Sequence, residues 1–492
     1  MRRAALWRLG APVLLAGLSG CLLGPDYVRP KVDAPATYRF QSAETADVAN
    51  TAWWEQFQDP ALNALIATAL AENRDVKMAS ARVDEFLGQF VSTRSALFPQ
   101  VGAGFDASRQ RSSQSGPIPL PGAVPPVSNQ FQASLSASWD IDLFGKVRRQ
   151  TEAARANLHA SEEARRATIL TLVASVASSY VTLRSLDRQL EIAKATTVSR
   201  ADSVRVFTAR FNGGEVSQME LSQSQSEYEA TVATIPQFEA QIAQQEHALS
   251  VLLGRNPGPI MRGRELDALE TPAVPAGLPS DLLERRPDLR QAEQNLIAQN
   301  ALIGAARALY FPSISMTGLF GSVSSRFSNL FTGPARVWSF AGSVTQPIFT
   351  GGNIAGQVRQ AEARQQEALY TYQKAIEVAF QQVEDALIAL QKSREQLETQ
   401  SRQLDALRTY EHLARMRYEG GYTSYIEVLD AERTLFNAEL SYTQTRSTTL
   451  TTLVSLYLAM GGGWVVTAER MTVPPPAAGQ PVAAEPGAGV PQ

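Results

Sequence analysis

The chain is written twice. Residues 73–101 align with 286–314 at a constant offset of 213, matching Asp75 with Asp288, Arg94 with Arg307, and Phe98-Pro99 with Phe311-Pro312. Further on, RFNGGEVSQMEL (210–221) matches RYEGGYTSYIEV (417–428) at an offset of 207, and Leu253-Gly254 and Met460-Gly461 close the halves at that same offset. What one half builds the other must build again, so the fold is a duplicated unit. The repeats run from 61 to 255 and from 280 to 464, with a linker over 256–279.

Each half reads helix, strand, loop, strand, very long helix, sharp turn, long helix. Heptads mark the helices: Ile169, Val176, Leu183 and Leu190 lie seven apart, with Leu172 and Leu186 as companions. Ile376, Val383, Leu390, Leu397 and Leu404 do the same in the second half. Between them stand mostly Ala, Ser, Gln and charged residues, so the apolar stripes are narrow. A helix from about 146 to 211 is on the order of 100 Å long at about 1.5 Å per residue, and its counterpart spans about 353 to 419. Gly213-Gly214 and Gly420-Gly421 supply the permissive backbone that reverses such helices. A simple coiled-coil rod has the same stripes.

The strands alternate. Odd positions of 131–142 are Phe, Ala, Leu, Ala, Trp, Ile, and even positions are Gln, Ser, Ser, Ser, Asp, Asp. Trp338, Phe340 and Val344 oppose Ser339, Ser343 and Thr345; Ile314, Met316 and Phe320 oppose Ser313, Ser315 and Thr317. Val101, Ala103 and Phe105 oppose Gly102, Gly104 and Asp106. A membrane barrel and a soluble half-buried sheet both show this pattern. The Ser/Pro/Gly-rich stretch 109–128 and the shorter 321–336 suit exposed loops. Four strands leave two open edges, which lipid does not tolerate. Two copies would make an eight-stranded barrel filled by side chains, whereas three would make twelve strands around an open lumen. A homotrimer is favoured.

The ends bear on location. Arg2, Arg3 and Arg8, the short apolar run Ala11–Leu18, and Ser19-Gly20 form a secretory signal over 1–20. That run is too short to span a bilayer, and no later segment is expected to supply a span. Cys21, the only cysteine, follows at once, and Leu18-Ser19-Gly20-Cys21 resembles a bacterial lipobox, so a covalent lipid on Cys21 is the one added group expected and no cofactor is. Leu22 comes next, where an acidic residue would favour retention at the inner membrane. Residues 21–60 form the lipid-anchored N-terminal segment and 465–492 the C-terminal segment, whose Pro/Ala/Gly-rich end reads as a disordered tail. A net charge of −3 argues against a nucleic-acid partner. No constellation for catalysis is present, and His159, His247 and His412 lie in three different predicted helices without a second ligand at metal spacing, so neither an enzyme nor a metal site is expected.

Several stretches, in this order and spacing, resemble the TolC family of outer-membrane factors, in its efflux lipoprotein branch. They are GPDYVRP (24–30), WWEQFQDPALNALI (53–66), SWDIDLFGKVRR (138–149), LLERRPDLRQAE (282–293), NALIGAARALYFPSIS (300–315), PIFTGG (347–352) and RYEGGYTSYIEVLDAERTLFNAEL (417–440). The resemblance implies a mainly α homotrimer with a membrane β-barrel: a 12-stranded barrel in the outer membrane of a Gram-negative bacterium, continuous with a long periplasmic α-helical barrel. It also implies a periplasmic adaptor and an inner-membrane efflux transporter as partners, outer-membrane lipid around the barrel, and passive export of drugs or other small solutes.

Ile426, Glu427 and Asp430, spaced i, i+1 and i+4, share one helical face. The resemblance puts that face at the innermost periplasmic ring, with Ile426 as a constriction and Asp430, joined by Glu427, as an acidic ring. Like charges so gathered need cations nearby, and Arg417 and Arg433 are the candidates. Gly213, Ser217, Gly420 and Ser424 would sit at the tips where the adaptor docks; glycine's role in ending helices explains the glycines but not the paired serines. A type I protein-secretion duct shares the fold, and a structural coiled-coil lipoprotein would explain the heptads and anchor but not the strands.

Overall fold

The computed structural model describes residues 22–32, 35, 37–40, 52–113, 126–274, 282–462 and 464–472. The leader, Cys21, the tail beyond 472 and parts of the N-terminal segment and linker lie outside them. The elements in chain order are a 3-10 turn Trp53–Phe57, then α1 Pro60–Glu72, α2 Arg74–Ser95, β1 Gln100–Arg111, β2 Val127–Ile141, α3 Lys146–Asn212, α4 Gln218–Val232 and α5 Thr234–Leu252. The second half follows with α6 Leu282–Arg285, α7 Pro287–Arg307, β3 Ser313–Ser324, β4 Arg336–Thr345, α8 Asn353–Glu419, α9 Tyr425–Met460 and α10 Trp464–Thr472. Two compact units result, each drawing on both repeats: residues 1–31, 82–161 and 291–373, and residues 32–81, 162–290 and 374–492.

The first unit holds one antiparallel sheet in the order β1-β2-β3-β4. Its register brings the apolar positions together. Ala103 pairs with Leu135, Leu135 with Phe320, and Phe320 with Trp338. Directly paired residues share a face, so Phe105, Leu135, Trp139, Phe320, Trp338 and Phe340 line one side. Ser134, Ser136, Ser315, Ser339 and Ser343 line the other, where Leu319, Val323 and Val337 interrupt the polar pattern. Both strand pairs extend further into the loops than expected, to Arg111↔Val127 and Ser322↔Arg336. Among the described residues the four strands close no barrel, and β1 and β4 remain edges.

In the same unit the GPDYVRP segment is strapped down. Arg149, 2% exposed, donates to the Leu23 carbonyl at 3.0 Å, to Asp26 Oδ1 at 2.7 Å and to Glu152 Oε2 at 2.8 Å. Asn300 Nδ2 donates to the Pro25 carbonyl at 2.9 Å, and Tyr27 and Arg29 both donate to Glu293, at 3.0 and 2.9 Å. The strap passes so close to α7 that a Cβ on Gly304 would collide with the Leu23 carbonyl.

Across the chain α3 and α8 are each 67 residues long. Their heptad residues face inward as expected: Ile169, Val176, Leu183, Ile376, Val383, Leu390 and Leu404 are buried, while Leu186, Leu190 and Leu397 are half-buried. One expectation is corrected. An 18-residue window of α3 has mean hydropathy 1.4, enough by composition for a membrane span, and 67% of it is buried inside the fold. Packing accounts for its apolarity. The second correction concerns the return helix of the first half, which is two helices rather than one. Pro236 lacks an N–H and crowds the carbonyl four residues back, and α4 ends at that residue, Val232. Its counterpart α9 has no such proline and runs 36 residues unbroken.

The second unit shows how the repeats close. Asn73 Nδ2 donates to the Leu252 carbonyl at 2.9 Å, and Arg286 Nη1 to the Ala459 carbonyl at 2.9 Å. Asn73 and Arg286 are equivalent at the 213 offset, Leu252 and Ala459 at the 207 offset, so different side chains hold the same helix end. Gly254 and Gly461 follow with φ of +71° and +62°, and a Cβ on Gly254 would strike the Glu72 carbonyl. WWEQFQDP forms this unit's aromatic core: Trp53 stacks on Tyr457 at 4.9 Å, and Trp54 meets Trp464 edge-on at 5.5 Å. Behind them Asp59, fully buried, caps α1 by accepting from Ala61 N at 2.8 Å, and also accepts from Tyr180 Oη at 2.7 Å and Arg264 N at 2.9 Å.

Candidate functional site: the helix turns and the face of Ile426

All the candidate tip and gate residues fall in the second unit, around the two turns where α3 and α8 reverse. Each turn is a Schellman-type end. Glu215 N donates to the Arg210 carbonyl and Tyr422 N to the Arg417 carbonyl, both at 2.9 Å. Gly214 and Gly421 take φ of +76° and +75°, values that favour glycine. Gly213 and Gly420 precede them, and their N–H groups end the helices on Ala209 and Met416.

The serines then open the next helices. Ser217 forms a full capping box with Glu220: its hydroxyl accepts from Glu220 N at 3.3 Å, and Glu220 Oε2 accepts from Ser217 N at 2.8 Å. Ser217 therefore has a local structural reason that the sequence reading did not find. Ser424 has the same backbone geometry but makes no side-chain cap. Glu427, the repeat equivalent of Glu220, turns instead toward Arg417 Nη1 at 3.7 Å. The duplicated turns diverge at the residue proposed for an acidic ring.

Ile426 is 58% exposed. Beside it Asp430 Oδ1 accepts from Arg433 Nη2 at 2.8 Å. Glu427 and Asp430 thus each stand beside one of the two candidate arginines, within one chain. Both pairs are about half exposed, so each contributes at most about 1 kcal/mol to stability.

Behind the exposed face lies a core that the motifs did not reveal. Phe207, Leu221, Ala414, Tyr425, Val428, Leu429 and Ala431 pack together. Phe207 and Tyr425 have ring centroids 4.0 Å apart, and Arg210 Nη1 donates to Tyr418 Oη at 2.6 Å. Arg415 bridges Glu411 at 2.9 Å and the buried Glu432 at 2.7 Å. The only advance sign was the shared Arg-aromatic pair, 210–211 and 417–418.

Burial pushes the Glu432 carboxyl above its usual range; Arg415 and Arg200 oppose this, while Glu411 and Glu227 add to it. The folded state then holds this proton more tightly than the unfolded chain. The group's contribution to stability is fully present below the ordinary glutamate value of about 4.3 and lost as pH rises through the folded value. Glu432→Gln is therefore expected to flatten the pH dependence of thermal unfolding above about pH 4.3. Parallel melting curves of variant and wild type across that range would contradict the assignment.

The outer membrane efflux protein model matches residues 65–255 and 278–462. The chain belongs to the outer membrane efflux protein family. Among its relatives, the toluene efflux pump outer membrane protein TtgC of Pseudomonas putida is 38% identical over 459 residues, covering 91% of this chain and 93% of TtgC. A Salmonella typhimurium protein named "Probable outer membrane lipoprotein SilC" is 35% identical over 457 residues, covering 91% of this chain and 97% of SilC. The crystal structure of the outer membrane channel MtrE of Neisseria gonorrhoeae, in its open state, superposes with a TM-score of 0.82 at 32% identity, covering 90% of this chain and 99% of MtrE. The resemblance to the TolC family holds, and this efflux protein is placed in the outer membrane.

Proposed function

We propose that this outer membrane efflux protein is a homotrimeric, lipid-anchored exit duct, passive toward small solutes, in which Ile426, Glu427 and Asp430 close the periplasmic end. The observation that carries the reading is the sheet. It has one mostly apolar face, interrupted by Ser322 and Arg336 at one end, and two unpaired edges, which in lipid requires other copies to complete it. Three copies bring twelve strands around a lumen and lead into three pairs of long helices. Solute enters from a periplasmic adaptor and an inner-membrane transporter, which supplies the energy. Gly213, Ser217, Gly420 and Ser424 lie at the turns and form the adaptor-facing tips; Cys21 carries the lipid.

Three copies of the Ile426 face put three apolar side chains at the narrowest point and three Asp430 carboxylates one helical turn deeper. Arg433 and Arg417 offset the repulsion of such a ring; with Glu427 and Asp430 on the lumen side of those pairs, cations pass more easily than anions. Single-channel recording of the purified acylated protein in a planar bilayer tests this. Small, cation-selective openings are expected, and Ile426→Ala with Asp430→Ala together should enlarge the conductance severalfold and weaken the selectivity. Unchanged conductance in that variant would remove the gate from these residues. Silence from wild type and variant alike, with trimers confirmed, would favour a structural lipoprotein.

A further inference from the structure

Within the sheet-bearing unit two aromatic rings from opposite halves meet. Phe144, in the turn from β2 to α3, stacks on Phe311, just before β3, with centroids 4.9 Å apart and planes 27° apart. Each ring has a counterpart. Phe311 is equivalent to Phe98, just before β1, at the 213 offset. Phe349 occupies the turn from β4 to α8 as Phe144 occupies the turn from β2 to α3. Each follows an aliphatic residue, Leu143 or Ile348, and leads into glycine of positive φ: +77° at Gly145, +56° and +86° at Gly351 and Gly352.

The counterparts do not meet. Phe98 is 55% exposed and Phe349 91% exposed. Topology forbids the contact within one chain, because Phe98 adjoins β1 and Phe349 adjoins β4, the two outer strands. The helices tell the same story independently. Ala301 of α7 and Ala156 of α3 belong to one buried cluster, yet their equivalents, Gly88 of α2 and Ala363 of α8, are both exposed. A Cβ built on Gly88 would meet nothing within 4 Å.

We propose that Phe349 of one copy stacks on Phe98 of the next, repeating between chains the contact that Phe144 and Phe311 make within one. The occupant is a second copy of this chain, because the missing partner of each exposed element is the very element the same chain leaves exposed at its other edge. The proposal rests on the trimer reading and adds which surfaces join: the α8 side of β4 against the α2 side of β1.

The test pairs Phe98→Cys with Phe349→Cys in the full acylated chain, treated with a short bifunctional thiol reagent. Dimer and trimer bands should appear on a denaturing non-reducing gel, and neither single variant should give them. Co-expressed single variants should give dimers. Phe98→Cys with Ile348→Cys asks the same question while keeping the Phe349 ring, should the first pair fold poorly. The in-chain pair Phe144→Cys with Phe311→Cys should link without raising the mass. Trimers by native mass spectrometry, with 144–311 linked but no link from 98 to 348 or 349, would overturn the proposal and leave the trimer standing. Monomers by native mass spectrometry would overturn the trimer reading and this contact with it.

Discussion

Asp59→Ala is expected to lower the midpoint of thermal unfolding by roughly 5 °C and to reduce the yield of folded protein. The carboxylate is fully buried and accepts from two amides at the start of α1, at 2.8 and 3.4 Å, from Tyr180 Oη at 2.7 Å and from Arg264 N at 2.9 Å. Tyr180 Oη in turn accepts from Gly263 N at 2.8 Å. Truncation removes an N-cap, worth about 1 kcal/mol, and strands a buried hydroxyl and an amide at about 1–3 kcal/mol each. The total is about 3–7 kcal/mol. Asp59→Asn keeps one acceptor and should cost about half as much. Gly263→Ala should damage the same knot from the other side, since a Cβ there would collide with the Asp59 carboxylate. Calorimetry of the detergent-solubilised protein is the measurement. A melting curve for Asp59→Ala within a degree or two of wild type would mean that the knot carries little of the stability.

Much of this architecture was legible because its causes are periodic. Heptads specified which sides of α3 and α8 turn inward, alternation specified the two faces of the sheet, and paired glycines marked the reversals. Glu427 and Asp430 could be grouped with Arg417 and Arg433 because helix and turn spacings are short-range rules. Pro236 was equally visible, and its effect on the return helix follows from backbone chemistry; the symmetry of the repeats hid it. What stayed illegible depends on contacts distant in sequence. Arg210 and Tyr418 are 208 residues apart, and the repeated Arg-aromatic pair marks both neighbourhoods without saying that they meet. Ser217 and Ser424 looked alike as sequence, yet only Ser217 caps its helix through the side chain, and Glu427, unlike Glu220, turns its carboxylate to an arginine. The motif GPDYVRP carried family likeness without a physical reason until Arg149, 123 residues from Asp26, supplied one.

That strap yields the other large effect. Arg149 is buried and holds the Leu23 carbonyl and Asp26 at once; alanine there forfeits an ion pair and a guanidinium–carbonyl bond and leaves a cavity against α7. Loosening of the strap by about 2–4 kcal/mol is expected, less than complete release because Asn300, Tyr27 and Arg29 still hold residues 25–29. Cleavage by trypsin at Lys31, the bond after Arg29 being closed to it by Pro30, should then accelerate by roughly 30- to 1000-fold, the factor by which such a change raises the open population. Arg149→Lys, lacking the fork that reaches two acceptors, should fall between. An unchanged cleavage rate would deny Arg149 this role. The cut also separates two accounts of how the protein is held. It severs Cys21 from the body of the chain, so a protein retained only by its lipid leaves the membrane fraction once cleaved. A protein whose Trp338, Phe340 and Phe320 face lipid stays behind. Body found in the soluble fraction after complete cleavage would remove the sheet from the bilayer and restore the tethered rod; body still sedimenting with the membrane leaves the apolar face of the four strands as what holds it there.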